Sequence, residues 1–370
     1  MPWRLYEKDP NWVAPLRRRA YRIFDRSKNP FYEHGDAAFF LAARGGRAVG
    51  RIAAIHNHLH IEPSGERVGY FGFFECIPDP PVAAALFSAA RSWLEALGLD
   101  VVRGPINFAM HDECGLLLGP FDAAPRIMMP YNPAYYAPLI EDCGFCKSKD
   151  LYAYEAGCDT PLPARISRLA EFARTRTDVT IRPFSLKERR RDTAALHSIY
   201  NAVFGSHWGL TPMGEREFAD LVESLLWVGD PELVRIAECA KQPVGFVAVI
   251  PDANQALRRI NGRLLPFGWL KLWRHMRRID SARAFAVGVS SAYRFEGTDL
   301  LLCWDAYRAG LAKGYRRLEM SWILEDNRRM RAALEHVGAR VSRVYRIYDS
   351  PLRAPRARRP PAHADQACDG

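Results

Sequence analysis

Residues 283–299 read RAFAVGVSSAYRFEGTD. An apolar run ends at Val289, Arg294 follows, and Gly297 comes three residues later. Beyond it, Leu300, Trp304, Tyr307 and Leu311 recur at helical spacing. The pattern is strand, turn, helix. Free N–H groups and the positive dipole end at such a helix start suit an anion such as a phosphate. An ordinary strand-to-helix turn has the same outline, so the surroundings must decide.

Those surroundings hold similar units twice. In the first half, RAVGRIAAIHNHLHIE (47–62) predicts a hairpin strand and VGYFGFFEC (68–76) another strand. PPVAAALFSAARSWLEALG (80–98) predicts a helix with Pro81 in its first turn and Gly98 at its end. LDVVRGPI (99–106) is a strand, 131–145 a short helix stopped by Gly144, and KSKDLYAYEA (147–156) the closing strand. In the second half, 231–250 is a hairpin turning at Lys241–Gln242, 283–289 a strand and 297–314 a helix. RRLEMSWI (316–323) is a strand, 327–339 a helix with Met330, Leu334 and Val337 inward, and 340–349 the last strand. The expected fold class is mixed α/β (α+β), two tandem units each with a central mixed sheet flanked by helices. The expected boundaries are 1–157, a linker helix at 158–178, 179–349, and a disordered Pro- and Arg-rich tail at 350–370.

A length of 370 residues is about two domains' worth, and 48% hydrophobic content can bury a sizeable core. No run reaches the roughly eighteen apolar residues of a membrane span. MPWRLYEKDPNW lacks the apolar stretch of a signal peptide, so a cytoplasmic location is expected. The net charge of +10 favours anionic partners: thioester-carrier phosphates, anionic lipid or nucleic acid. Among eight cysteines, Cys143 and Cys146 form one CxxC, with no second pair to complete a zinc ribbon. His56, His58 and His60 alternate, but same-face strand neighbours lie about 7 Å apart, wide for shared coordination. No metal is expected.

The order strand–RFEG–helix–strand–Asn–helix–Gly–strand, with EDNRRMRAALEHVGA downstream, resembles the GNAT (Gcn5-related N-acetyltransferase) superfamily over roughly 178–349. More closely, HWGLTP, LLPFG, SWILEDN and YRIYD in the second half resemble a bacterial tandem-GNAT group that includes ceramide-synthase-type N-acyltransferases. GPINF, DECGLLL, MMPYNPAYY and KDLYAY carry the same resemblance through the first half. It implies an acyl thioester donor (acyl-CoA or acyl carrier protein) and an amine acceptor, extending to a long-chain donor and a sphingoid-type lipid amine. It implies donor binding by Arg294, Gly297, Thr298 and Asn327, and a thioester carbonyl held by backbone N–H groups around Val287, Gly288 and Val289. Asp299 stands where the family has a small residue, and Leu334 where a thiol-side tyrosine is usual. The first half lacks the phosphate loop: IPDPP follows Cys76. Two other readings stay open, a Fem-type transferase using aminoacyl-tRNA and a non-catalytic regulator on the same scaffold. No DNA partner is expected.

Acyl transfer to an amine needs a base for the amine proton and donors for the developing oxyanion. Glu319 and Ser321 share a strand face, as a base pair of groups or as a solvated edge. His111, Asp112 and Glu113 cluster in NFAMHDECG, with Glu113 the favoured catalytic group and Asp112 a turn former in the plainer reading. Tyr345 and Tyr348 are alternatives for the acid, and only one can face the site from a regular strand. Tyr345 is chosen. His111, Ser321, Trp322, Asn132, Tyr135 and Trp208 are the substrate-lining candidates. LLPFGWLKLWRHMRRID (264–280) places Leu265, Trp269, Leu272, Trp273, Met276 and Ile279 at helical spacing among basic residues. It reads either as an interfacial helix, or lid over an acyl chain, contacting the inner membrane, or as a helix packed on the domain with its basic side outward.

Overall fold

The computed structural model describes residues 1–60, 65–157, 163–205, 207–294 and 296–352. Residues 158–162 of the expected linker and 353–370 of the expected tail lie outside them.

Short helices α1 (Pro2–Leu5) and α2 (Arg17–Arg22) precede a hairpin of β1 (Gly35–Arg44) and β2 (Arg47–Asn57). β3 (Val68–Cys76) leads into α3 (Pro80–Ala96), which buries Val82, Leu86, Phe87, Ala90 and Leu94 against Phe71 and Phe74. Its apolar residues fall at the three- and four-residue steps that make one helix face. β4 (Val101–Gly104), β5 (Leu116–Gly119), α4 (Tyr136–Asp142) and β6 (Cys146–Gly157) complete the first half. α5 (Ala164–Arg174) connects to β7 (Thr180–Pro183), α6 (Arg189–Phe204) and α7 (Glu215–Leu226). The second half continues through β8 (Val234–Cys239), β9 (Gln242–Pro251), α8 (Asn254–Leu257), α9 (Gly268–Met276) and β10 (Ser281–Val289). It ends with α10 (Thr298–Ala312), β11 (Arg317–Leu324), α11 (Arg328–His336) and β12 (Arg340–Pro351).

One sheet runs through both halves in the order β1-β2-β3-β4-β12-β6-β11-β10-β9-β8-β7, with β5 on β12. The closing strands are exchanged. β6, from the first half, pairs with β11, and β12 pairs with β4. The two then lie side by side at the centre, Tyr345 opposite Leu151. Neither half therefore closes its sheet with its own last strand. The central core holds Tyr70, Ile106, Met129, Leu151, Tyr345 and Ile347, drawn from both halves.

Four local expectations are corrected. Ser350 and Pro351 pair with Val102 and Val101, so the last strand passes the expected tail boundary. The β8–β9 turn lies at Ala240–Lys241, one residue early, where both residues take the positive φ that a tight hairpin turn requires. Met330 is exposed and α11 buries no residue fully, because the helix lies on the surface beside β6. The expected helix at 264–280 shrinks to Gly268–Met276 and buries Leu272 alone. No helix among the described residues is long and apolar enough to cross a membrane.

Candidate active site

β10 and β11 are parallel neighbours only over Ser281–Ala284 and Arg317–Met320. Beyond that, β10 stays with β9 as far as Val289 opposite Gly245, while β11 follows β6. The two strands part, and among the described residues the β11-facing edge of Val287, Gly288 and Val289 has no strand partner. Backbone N–H groups freed in this way are the donors a thioester carbonyl needs.

At the mouth of this opening lies Arg283, 1% exposed. Its guanidinium donates to Ser321 Oγ (3.0 Å) and to the carbonyls of Ile127 (3.0 Å) and Met128 (3.2 Å). Ser321 Oγ donates to Glu319 Oε1 at 2.9 Å. Trp322 stacks on the guanidinium at 4.8 Å. Glu319, Tyr345, Cys114 and Glu113 all lie close enough to act on the charge of Arg283. A buried guanidinium needs hydrogen-bond partners, and this one has the Ser321 hydroxyl and the backbone carbonyls of Ile127, Met128 and Ser321. Burial raises the Glu319 pKa, with Arg283 opposing it. Glu113 is reached by solvent yet walled in by protein, and this desolvation, with Asp112 beside it, raises its pKa as well. Glu319 therefore meets the buried cation through the Ser321 hydroxyl, with its pKa raised by burial. Tyr345 is buried beside them, its hydroxyl raised in pKa by burial and then by Glu319. Tyr348 turns the other way and donates to Glu141 at 2.9 Å.

A second group adjoins the first. Glu217 on α7 bridges His34 Nε2 (3.0 Å) and His111 Nε2 (3.2 Å). Burial works against its charge, but hydrogen bonds from the two histidines outweigh it and bring its pKa to about 2. Asp112 is pushed up to about 6, mainly by burial. The bridge ties α7 of the second half to the 107–114 loop of the first. Under α7 lies an apolar cavity of about 60 Å3, lined by Leu196, Phe218, Leu221, Leu225, Phe246 and Phe285. It reaches Phe285 and Ala286, where β10 leaves β11.

At the far end of β10, Gly297 begins α10 with a φ of 80°. Ala173 of α5 would stand 2.9 Å from any Cβ there, so glycine is required twice over. Thr298 is buried and, among the described residues, its hydroxyl makes no hydrogen bond. A donor without a partner at a helix start fits an oxyanion. Arg294 is exposed beside it. The Asp299 carboxylate accepts the Leu300 N–H at 2.9 Å, occupying one donor of the first turn.

The fold thus brings Glu319, Ser321, Trp322 and Tyr345 together around Arg283, places His111 and Glu113 on the 107–114 loop, and sets Val287–Val289, Arg294, Gly297 and Thr298 along one strand and its turn. It does not bring the others in. Asn327 caps α11 by accepting the Met330 N–H. Asn132 uses its amide on Leu117 and Pro133. Tyr135 donates to the Cys76 carbonyl in the first core. Trp208 lies under Arg103 and Lys149. Sequence reasoning missed Arg283, although a charged residue in an apolar strand was a visible signal. It also missed His34 and Glu217, which carry none.

No family model matches the chain. It is 35% identical over 359 residues to the bacterial ceramide synthase of Caulobacter vibrioides (strain NA1000 / CB15N), covering 95% of this chain and 93% of that protein. The chain belongs to the bacterial ceramide synthase family. Protein YghO of Escherichia coli (strain K12) is also 35% identical, over 363 residues, covering 95% of this chain and 91% of that one. Among solved structures, the GCN5-related glucosamine N-acetyltransferase region of a fungal multi-domain GH3 beta-N-acetylglucosaminidase aligns with a TM-score of 0.56 at 12% identity. That alignment covers 94% of this chain and 36% of that one, and the likeness is one of fold. The chain therefore shares the fold of a GCN5-related N-acetyltransferase region.

Proposed function

We propose that the chain transfers an acyl group from an acyl thioester, on CoA or acyl carrier protein, to a primary amine. The preferred pair is a long-chain donor and a sphingoid-type lipid amine, the chemistry of ceramide synthesis. The observation that carries this reading is the buried Arg283–Ser321–Glu319 hydrogen-bonded group at the point where β10 and β11 part. The likeness to a ceramide synthase supports the lipid acceptor.

An alkylamine is protonated at neutral pH and must lose that proton before it attacks. Glu319, its pKa raised, suits the role of acceptor for that proton, with Glu113 passing it toward solvent. The amine nitrogen forms its bond to the thioester carbon, the carbon–sulfur bond breaks, and the thiolate leaves with a proton. The carbonyl oxygen takes its donors from the unpartnered edge at Val287–Val289. Arg294, Gly297 and Thr298 hold the donor phosphates. The apolar cavity under α7 receives the start of the acyl chain. Its present size suits only a few carbons.

The test is direct. The purified protein is given palmitoyl-CoA or palmitoyl-carrier protein with sphinganine, and the product is read by mass spectrometry. Ceramide formation is expected, with Glu319→Gln lowering it by about 10²–10³-fold. Acetyl transfer to small polar amines alone would overturn the lipid reading. Turnover only with aminoacyl-tRNA would overturn the thioester reading.

A further inference from the structure

Residues 252–280 join β9 to β10, and their only acidic residues stand at the two ends: Asp252, which is buried, and Asp280, which is bonded to Arg317. Two opposed properties meet on the surface of this insertion. Leu265 (81% exposed), Phe267 (68%), Trp269 (56%), Trp273 (52%) and Leu270 (47%) form a run of large apolar side chains open to water. Arg258, Arg259, Arg263, Lys271, Arg274 and Arg278, all exposed, surround them. Arg277 lies over the Trp273 ring at 3.8 Å. The opposite side of the insertion is anchored, since Leu272, Ile260 and Leu257 pack with Val13, Leu16 and Ile127. The apolar outer face is thus additional to the one the fold uses.

We propose that this face is a docking surface for an anionic lipid bilayer. Tryptophan, phenylalanine and leucine at the tip enter the headgroup boundary, and the cationic surround meets lipid phosphates. Charge complementarity commits the face to this occupant. A second copy of the chain would bring one cationic ring against another, whereas an anionic membrane neutralises the ring and buries the aromatics together. Docking requires neither the proposed donor nor the proposed acceptor. β10 runs from this insertion at Ser281 to the turn after Val289, about 27 Å away at ordinary strand rise. Ile127 links the docking face to the site, packing with Leu272 while its carbonyl accepts from Arg283.

The experiment is vesicle flotation of the full chain, with phosphatidylcholine vesicles and with vesicles carrying about 30% phosphatidylglycerol. Binding to the anionic vesicles is expected to exceed binding to the neutral ones by about tenfold, and to weaken in high salt. The double variant Trp269→Ser/Trp273→Ser should lower that binding by about tenfold while keeping the melting temperature, since both rings project into solvent. No flotation by the wild type, or equal flotation by the variant, would overturn the proposal. So would sedimentation showing a dimer that the same variant dissociates, which would make the face a contact between copies.

Discussion

In the first half, β3 and β4 pair over Val68–Tyr70 and Val101–Arg103 and then part, as β10 and β11 do in the second. The first gap is filled by its own chain. The Ile106 N–H donates to the Phe71 carbonyl at 2.8 Å, and Asn107 Oδ1 accepts the Phe73 N–H at 2.8 Å. Gly72 lies so near that a Cβ would stand 2.1 Å from the Ile106 carbonyl oxygen. In the second gap, Arg283, Glu319 and Ser321 line the mouth and the edge of β10 stays free. The helix starts differ in the same sense. α3 begins with Pro80 and Pro81, which have no N–H, and Asp79 accepts the Val82 N–H. α10 begins at a left-handed glycine with an unpaired hydroxyl behind it. Among the described residues, the same folding unit, used twice, keeps the glycine-led helix start and the open edge in only one copy. The other copy lends the site its 107–114 loop and Tyr345's neighbouring strand.

The largest expected effect separates the two copies by chemistry. Glu319→Gln should lower kcat/KM by about 10²–10³-fold while leaving the fold intact. Glu75 is the comparison in the first half. It is enclosed, its pKa is raised by burial, and Tyr136 donates to it at 2.8 Å. Glu75→Gln should leave kcat/KM within about threefold, because its partners are structural. Equal losses in both would break the asymmetry.

A stability measurement asks the same question of the two gaps. Gly72→Ala drives a methyl into backbone and should lower the urea-derived unfolding free energy by about 3 kcal/mol. Gly288→Ala, in the open gap, meets only the Phe246 and Phe204 side chains at 3.2–3.3 Å and should lower it by about 1 kcal/mol. If both substitutions are equally harmful, the second gap is packed as tightly as the first.

The helix starts can be compared by ligand-induced stabilisation. Palmitoyl-CoA at about 100 times its Kd should stabilise the wild type by about 2.7 kcal/mol, read as a rise in Tm. Gly297→Val should abolish that rise, since its φ and Ala173 both exclude a side chain. Pro80→Ala should keep it in full.

Much of this was legible in order and little of it in contact. Helix and strand limits follow from periodicity and from glycines such as Gly98, Gly144 and Gly338, all at positive φ. The polar face shared by Glu319 and Ser321 followed from the two-residue strand period. The exchange of β6 and β12 did not, because both are apolar closing strands and either would satisfy either neighbour. Arg283 becomes central only through Ile127 and Met128, which approach it from about 155 positions earlier in the chain. The aromatic residues of 264–280 were visible, but their outward side was not. Helical spacing defines a stripe without saying what covers it, and Pro266 and Gly268 shorten the helix that the spacing suggests.

The smallest effect tests how the two copies are held together over the open gap. Glu217 joins His34 and His111, and both histidines are raised above their ordinary pKa of 6.5. For His34 the Glu217 hydrogen bond is the main cause, and for His111 that bond acts against burial. A raised histidine contributes its stability fully below 6.5 and loses it as pH rises through the folded value. Glu217, lowered from 4.5 to about 2, contributes above 4.5 and loses its share as pH falls towards 2. The advantage of the wild type over Glu217→Gln should therefore be greatest between about pH 4.5 and 6.5, on the order of 2 kcal/mol, and shrink on either side. Denaturation of both proteins across pH 3–9 measures it. A difference that stays flat would mean that the histidines are neutral in the folded chain, and that α7 is held over the gap by ordinary hydrogen bonds. A difference that peaks as expected makes the clasp ionic, and α7 then loosens over the apolar cavity as pH rises.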